Sequence, residues 1–216
     1  MTLLTPRLDI LPPPQKALWP DLSQTPAHFT LYGGTAIALQ LGHRQSVDFD
    51  FFALSDIDTD QLLLSVPYLA SARILHRERN SITCLIDRGG PVKLSYFGLP
   101  HLKRLEEPLK TRDNGIPCAT LLDLAGTKAQ VIQARAETKD YIDIDALLAS
   151  GISLDAHLRA ARHIYGRLFE PFPTLKALSH YDGLDLPEAV QQRLSTAVAA
   201  VDLASLSSPT SPWTQS

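Results

Sequence analysis

Two aspartates two positions apart, Asp48 and Asp50 in the run VDFDFFAL, are the carboxylates best placed for chemistry in this 216-residue chain. They alternate with Phe49 and Phe51 at the period of two that a strand imposes, so both project to one face. Two like charges so placed repel unless a divalent cation lies between or beside them. An oxygen-only site with open positions suits Mg²⁺ (or Mn²⁺) carrying nucleotide phosphates. Upstream stands Gly33-Gly34, with thirteen residues between Gly34 and Asp48. A Gly-Gly turn opening a helix lets backbone amides approach an anionic phosphate at the positive end of the helix dipole, with no side chain in the way. Each half alone fits a solvated edge strand beside an ordinary turn better than it fits a site, since short motifs match often by chance.

A second set of charges lies in the latter part of the chain. Arg135 and Lys139 follow Lys128 by seven and eleven positions. On one continuous helix all three fall within about 20° of one line, with Asp143 about 60° and Asp140 about 120° from Lys128. Such a stripe offers a planar fork and two point charges to NTP phosphates or to an RNA backbone. The same spacing also describes a solvated face on which Lys139 pairs with Asp143 at i,i+4. Near the aspartates, Arg44 is placed to contact a phosphate or to buttress Asp48, and Ser46 to end a loop by bonding to backbone. Lys93 either neutralises phosphate or is a solvent-facing strand lysine.

The elements that must hold these residues are legible in part. Residues 29–32 read as a short strand, residues 35–41 as a buried helix, and residues 46–54 as the strand bearing the aspartates. Asp56 or Asp58 caps a helix running to Leu64. Strands are expected at 73–76 and 81–86, and Gly89-Gly90 turns the chain into a further strand, VKLSYF. From Cys118 onward the apolar spacing is helical. The first thirty residues, with Pro12, Pro13 and Pro14, read as a loose lead-in carrying a short helix around Gln15. A turn-rich stretch, Asp113-Asn114-Gly115-Ile116-Pro117, marks a boundary near 115, and the tail from Ser207 reads as disordered.

Composition sets outer limits. Lys and Arg number 20 against 23 Asp and Glu, a net charge of -3, so no global field holds nucleic acid and any such partner must be gripped locally. The early prolines interrupt any signal-peptide core and no run of eighteen apolar residues occurs, which argues against secretion and membrane spanning. Cys84 and Cys118 stand alone, without a CxxC or His/Cys cluster, as reduced cytosolic thiols would. A cytoplasmic location is expected. The chain has no GxxxxGK[ST], GxSxG, GxGxxG or HExxH motif, which disfavours P-loop, serine-hydrolase and zincin chemistry.

Joined together, the segments resemble a known family. YGGTAIALQLGHRQSVDFDFF is similar to the signature of the nucleotidyltransferase superfamily: a GG or GS turn, a helix, then a D-h-D strand. In detail it resembles the AbiEii-type toxin family, whose members carry GGTAL and then HR-x-S-x-D-h-D-FF. VKLSYFGLP resembles that family's VKVSFF segment, and LLDLAGTKAQVIQARAETKDYIDIDALL resembles its D-h-A-x-x-K followed by R-x-x-x-KD-h-x-D. The resemblance covers about residues 30–148.

The resemblance implies an α+β nucleotidyltransferase-like core with a small mixed sheet flanked by helices. That core would span residues 1–115, with a helical part at 116–206 completing the cleft and the tail at 207–216. It implies Mg²⁺-dependent transfer of an NMP from an NTP to a hydroxyl on tRNA or protein. The protein would be the toxin of a type IV toxin-antitoxin pair, with an antitoxin as partner. Asp48 and Asp50 would hold the metal, and Lys128, Asp140 and Asp143 would complete the catalytic set. Gly33, Gly34, Thr35, Arg44, Ser46, Lys93, Arg135 and Lys139 would bind nucleotide. One departure stands out: the position aligned with a third, metal-binding carboxylate is Ser95. The second metal would then be weakly held, Asp140 or Asp143 would serve as base, or activity would be low. The alternative is a non-catalytic nucleotide sensor or partner-binding protein on the same fold.

Overall fold

The alternation in VDFDFFAL becomes a strand in the interior of a mixed sheet. The computed structural model describes residues 2–135 and 137–202, so the expected tail at 207–216 lies outside the described residues. The chain divides into two units: residues up to 102 with Glu107–Thr120, and Lys103–Glu106 with residues from 121 onward.

The first unit holds eight strands: β1 (Leu3–Leu4), β2 (Thr30–Tyr32), β3 (Asp48–Ala53), β4 (Arg73–Glu78), β5 (Ser81–Asp87), β6 (Pro91–Gly98), β7 (Leu109–Thr111) and β8 (Pro117–Cys118). Their spatial order is β1-β7-β8-β2-β3-β6-β5-β4. Strand β3 runs antiparallel to β2 and parallel to β6, while β6, β5 and β4 form an antiparallel meander. One face is apolar, with Phe49, Phe51, Leu94, Tyr96, Ile82 and Cys84 fully buried. Phe51 stacks on Tyr96 at 5.2 Å and Phe49 meets Trp19 at 6.1 Å. Burying each phenylalanine contributes about 1.5–3 kcal/mol, and a one-residue slip would bury Asp48 and Asp50 instead. Register on β3 is therefore set by the aromatics, and the aspartates follow.

Three α-helices join this sheet unit: α1 (Pro13–Leu18), α2 (Gly33–Leu41) and α3 (Thr59–Ser65). Asp58, not Asp56, caps α3, its carboxylate accepting from the amides of Asp60 at 2.9 Å and Gln61 at 3.0 Å. The first thirty residues are not a loose lead-in. Ile10, Leu11, Leu18, Trp19 and Leu22 are buried. Trp19 Nε1 donates to Asp113 at 2.7 Å, Asn114 donates to the Trp19 carbonyl at 2.9 Å, and β1 pairs parallel with β7. Prolines at the start of α1 pre-set φ where an amide donor is not needed, so the proline run begins a helix that two large apolar side chains then anchor. The turn at 113–117 joins β7 and β8 into an antiparallel pair.

The second unit is helical: α4 (Leu121–Ala134), α5 (Thr138–Ala149), α6 (Leu154–Tyr165), α7 (Pro171–Ala177) and α8 (Glu188–Ala199). Its core gathers Ala129, Ile132, Tyr141, Ile144, Leu158, Phe169, Leu178 and Leu194. Helix α4 crosses α6 at Gly126, where a Cβ would lie 2.9 Å from the backbone of Ala160 and Ala161. Buried Asp123 accepts from the amides of Leu105 at 2.9 Å and Glu106 at 3.1 Å, which ties the 103–106 segment to α4. Both cysteines are free and buried, and burial pushes the thiols up, Cys84 to about 11 and Cys118 to about 12. Among the described residues no helix is long and apolar enough to cross a membrane.

Candidate active site

On β3 the two carboxylates lie on the face opposite the aromatics, both half-buried. Cross-strand register places Lys93 beside Asp48 and Ser95 beside Asp50. Lys93 Nζ lies 3.3 Å from Asp48 Oδ2, with both side chains partly open to water. Ser95 is buried and accepts from Thr83 on β5 at 3.4 Å. The site's third neighbouring position is thus a hydroxyl within a hydroxyl pair.

The Gly-Gly turn meets the same carboxylates. Gly33 has φ +73°, and a Cβ there would stand 2.7 Å from Asp50 Oδ2, so glycine is required both for the backbone conformation and for the carboxylate's room. Thr35, in the first turn of α2, donates to the Asp48 carbonyl. Its proton being so used, Ser46 Oγ donates to Thr35 Oγ1, at 2.6 Å. Both hydroxyls are buried and bind the start of α2 to the start of β3, rather than standing open to a ligand. Arg44 is half-buried in the loop ahead of β3 and donates to the Gln45 carbonyl at 2.9 Å.

The helical unit arranges its charges differently from the stripe described above. The helix is not continuous: α4 ends at Ala134 and α5 starts at Thr138, with Glu137 extended between them. Lys128, buried on α4, places Nζ 2.7 Å from Asp140 and 2.6 Å from Asp143. Asp140, which a straight helix turns away, instead faces Lys128, and Lys139 pairs with Glu137 at 2.9 Å rather than with Asp143. Arg135 Nε reaches Asp140 at 3.0 Å and its Nη1 lies 3.5 Å from Glu137. The result is a chain, Asp143–Lys128–Asp140–Arg135–Glu137–Lys139, in which three cations meet three carboxylates. The physical cause is burial: an ammonium with 5% of its side chain exposed needs paired carboxylates, and the break lets α5 present i and i+3 aspartates to it.

Glu137, absent from the sequence-derived set, links Arg135 and Lys139, and its hydrogen bond from Lys139 lowers its pKa. Asp123 is a second omission; it is the aspartate of the D-h-A-x-x-K segment, and it holds the 105–106 loop. A divalent cation fits the sheet site by donor chemistry. Asp48 and Asp50 supply hard oxygens on one face, with room at Oδ2 preserved by Gly33, and Mg²⁺ typically takes one or two carboxylates plus waters and phosphates. Among the described residues no group of three or more His, Cys, Asp or Glu is placed to hold a metal.

Known proteins share this fold. The nucleotidyltransferase toxin MenT4 from Mycobacterium tuberculosis H37Rv superposes with a TM-score of 0.60 at 16% identity, over 87% of this chain and 82% of that one. A crystal structure from H. pylori described as a candidate nucleotidyltransferase superposes with a TM-score of 0.54 at 17% identity, over 85% and 89%. An uncharacterised protein of Aquifex aeolicus (strain VF5) is 36% identical over 118 residues, 54% of this chain. The chain spans about half the length, 55%, of that curated relative. The family model described as nucleotidyl transferase AbiEii toxin, type IV toxin-antitoxin system, matches residues 17–81 and 70–202, and the chain belongs to this family.

Proposed function

We propose that the protein transfers a nucleoside monophosphate from an NTP to a hydroxyl of an RNA or protein acceptor, as the toxin of a type IV pair acting in the cytoplasm. The observation that carries this reading is the Gly33 turn closing on Asp50, beside a strand whose two carboxylates share one half-open face. Asp48 and Asp50 would hold Mg²⁺ or Mn²⁺. When bound, such an ion neutralises phosphate charge and acts as a Lewis acid at the phosphoryl oxygens.

The chain's own residues then have separable tasks. The α2 turn at Gly33 and Gly34 approaches phosphate through backbone amides, while Thr35 and Ser46 hold that turn to β3. Lys93, already drawn to Asp48, offsets negative charge as phosphates arrive. The acceptor oxygen bonds to the α-phosphorus as the bond to the bridging oxygen breaks, pyrophosphate leaves, and the hydroxyl proton passes to water. Asp140 and Asp143 are fully buried on Lys128, so their proposed task is to fix that ammonium. Arg135 and Lys139 are proposed to contribute charge beside it, with an antitoxin as the partner that restrains the whole.

Ser95 beside Asp50 favours a second reading, nucleotide binding without turnover. The test is to incubate the protein and Mg²⁺ with each α-labelled NTP, supplying bulk tRNA or total cell protein. Label in either acceptor, with pyrophosphate released, is expected. Tight Mg²⁺-dependent NTP binding with no labelled product from any pairing would replace transfer by the sensor reading.

A further inference from the structure

We infer that the β4 edge of the sheet is an interface between two copies of this chain, which pair β4 against β4 antiparallel about a two-fold axis at His76. This edge lies three strand steps from Asp48 and Asp50, so the pairing stands or falls apart from the transfer reading.

Strand β4 closes one end of the sheet order and is paired on one side only, by β5. All six of its residues, Arg73-Ile74-Leu75-His76-Arg77-Glu78, are exposed, with Ile74 and Leu75 each 45% open to solvent. The strand at the other end, β1, is two residues long and offers little to pair with. An open edge presents a row of unpaired backbone donors and acceptors, a template for another strand. Edges that only avoid partners use lysine, proline or a charge at the centre. Strand β4 has a bulge at Leu75 but no lysine or proline, and its charges sit at its two ends.

Register then selects the occupant. Arg73, His76 and Glu78 oppose Leu85, Thr83 and Ser81 on β5, so with the bulge counted these three share one face. Ile74 and Arg77, opposite Cys84 and Ile82, share the other. A second β4 laid antiparallel with His76 opposite the partner's His76 overlaps the whole strand and keeps like faces together. It sets Arg73 opposite Glu78 twice and Ile74 opposite Arg77 twice. Centring the axis on Ile74 or on Arg77 instead shortens the overlap and leaves Arg73 and Glu78 apart. The longest symmetric register is thus also the one that joins opposite charges, the self-complementarity that a two-fold interface requires. Glu78 binds His76 at 3.1 Å in an exposed pair that contributes little within one chain. The Arg77 head is committed to Asp60 at 2.7 Å and Thr59 at 2.8 Å, which leaves its aliphatic stem to cover the partner's Ile74.

Charge reversal makes the test. Sedimentation equilibrium of the full chain is run from about 1 µM to about 300 µM for wild type, Arg73→Glu, Glu78→Arg and the double variant carrying both, with a thermal melt of each to check the fold. One short strand per copy is a small interface, so the wild-type dimer is expected at a Kd of about 10–100 µM. Each single variant turns both Arg73–Glu78 pairs into like-charge pairs, and its Kd should rise at least about tenfold. The double variant reverses both pairs without removing either and should return to within about threefold of wild type. Hydrogen exchange on wild type adds a reading that needs no substitution: the β4 amides should gain protection as concentration rises through the dimerisation range. A wild type that stays monomeric throughout, single variants that dimerise as well as wild type, a double variant as weak as either single, or dimerisation without added protection on β4 would overturn the inference.

Discussion

The sheet unit and the helical unit each concentrate charge, but they do so in opposite dielectric settings. Asp48, Asp50 and Lys93 are half-open to water and lie on a face whose reverse side supplies the burial energy. Lys128, Asp140 and Asp143 are almost fully buried, and their mutual pairing is a condition of the fold. The contrast teaches that similar-looking charged motifs answer to different constraints. One set lies outside the apolar core, whereas the other cannot lose a member without leaving an uncompensated charge inside it.

The largest effect should come from breaking the buried set. Lys128→Met leaves Asp140 and Asp143 without their ammonium, at a cost of about 3–5 kcal/mol in unfolding free energy by urea titration. Adding Asp140→Asn and Asp143→Asn to that variant should recover much of the loss, because no buried charge then remains unpaired. A loss below about 1 kcal/mol in the single variant would show that the cluster is open to water, erasing the contrast.

A smaller effect sharpens the same comparison through pH. His157 in the helical unit is fully buried, and burial lowers its pKa to about 4, with the Ser153 carbonyl at 2.9 Å opposing the shift only in part. The unfolded chain takes up a proton near 6.5, so acidification through the window from about 6.5 to 4 favours unfolding. Between pH 7 and pH 5 this group should remove about 2 kcal/mol of stability. His157→Leu should lack that portion of the slope in melts run at both pH values, and an unchanged slope would contradict the assignment.

Smaller still is the effect of Gly33→Ala. Its positive φ should cost about 1–2 kcal/mol of stability. Because the new Cβ would crowd Asp50 Oδ2, Mg²⁺-NTP affinity should fall as well, measurable by calorimetry. Loss of stability with full affinity would separate the turn from the site.

Local pattern carried much of the sheet site. The period of two in β3 set both the buried aromatics and the shared face of Asp48 and Asp50, and the glycine pairs marked the α2 turn and the β5–β6 turn. What escaped was non-local. Strands of two residues such as β1 and β8 have no periodicity to read, and they exist only because distant segments offer them partners. The helical cluster was misread geometrically because helix propensity runs through residues 121–149, and only the need to neutralise buried Lys128 reveals why the chain breaks near Glu137. Face sharing between Asp50 and His76, three strands apart, likewise requires the observed register.

The most direct test of the separation between site and fold is one variant, Asp50→Ala, assayed for α-labelled NTP transfer and for urea unfolding on the same preparation. The account predicts that transfer falls at least about hundredfold while unfolding free energy stays within about 0.5 kcal/mol of wild type. Wild-type-like turnover, or a loss of stability comparable to that of Lys128→Met, would contradict it.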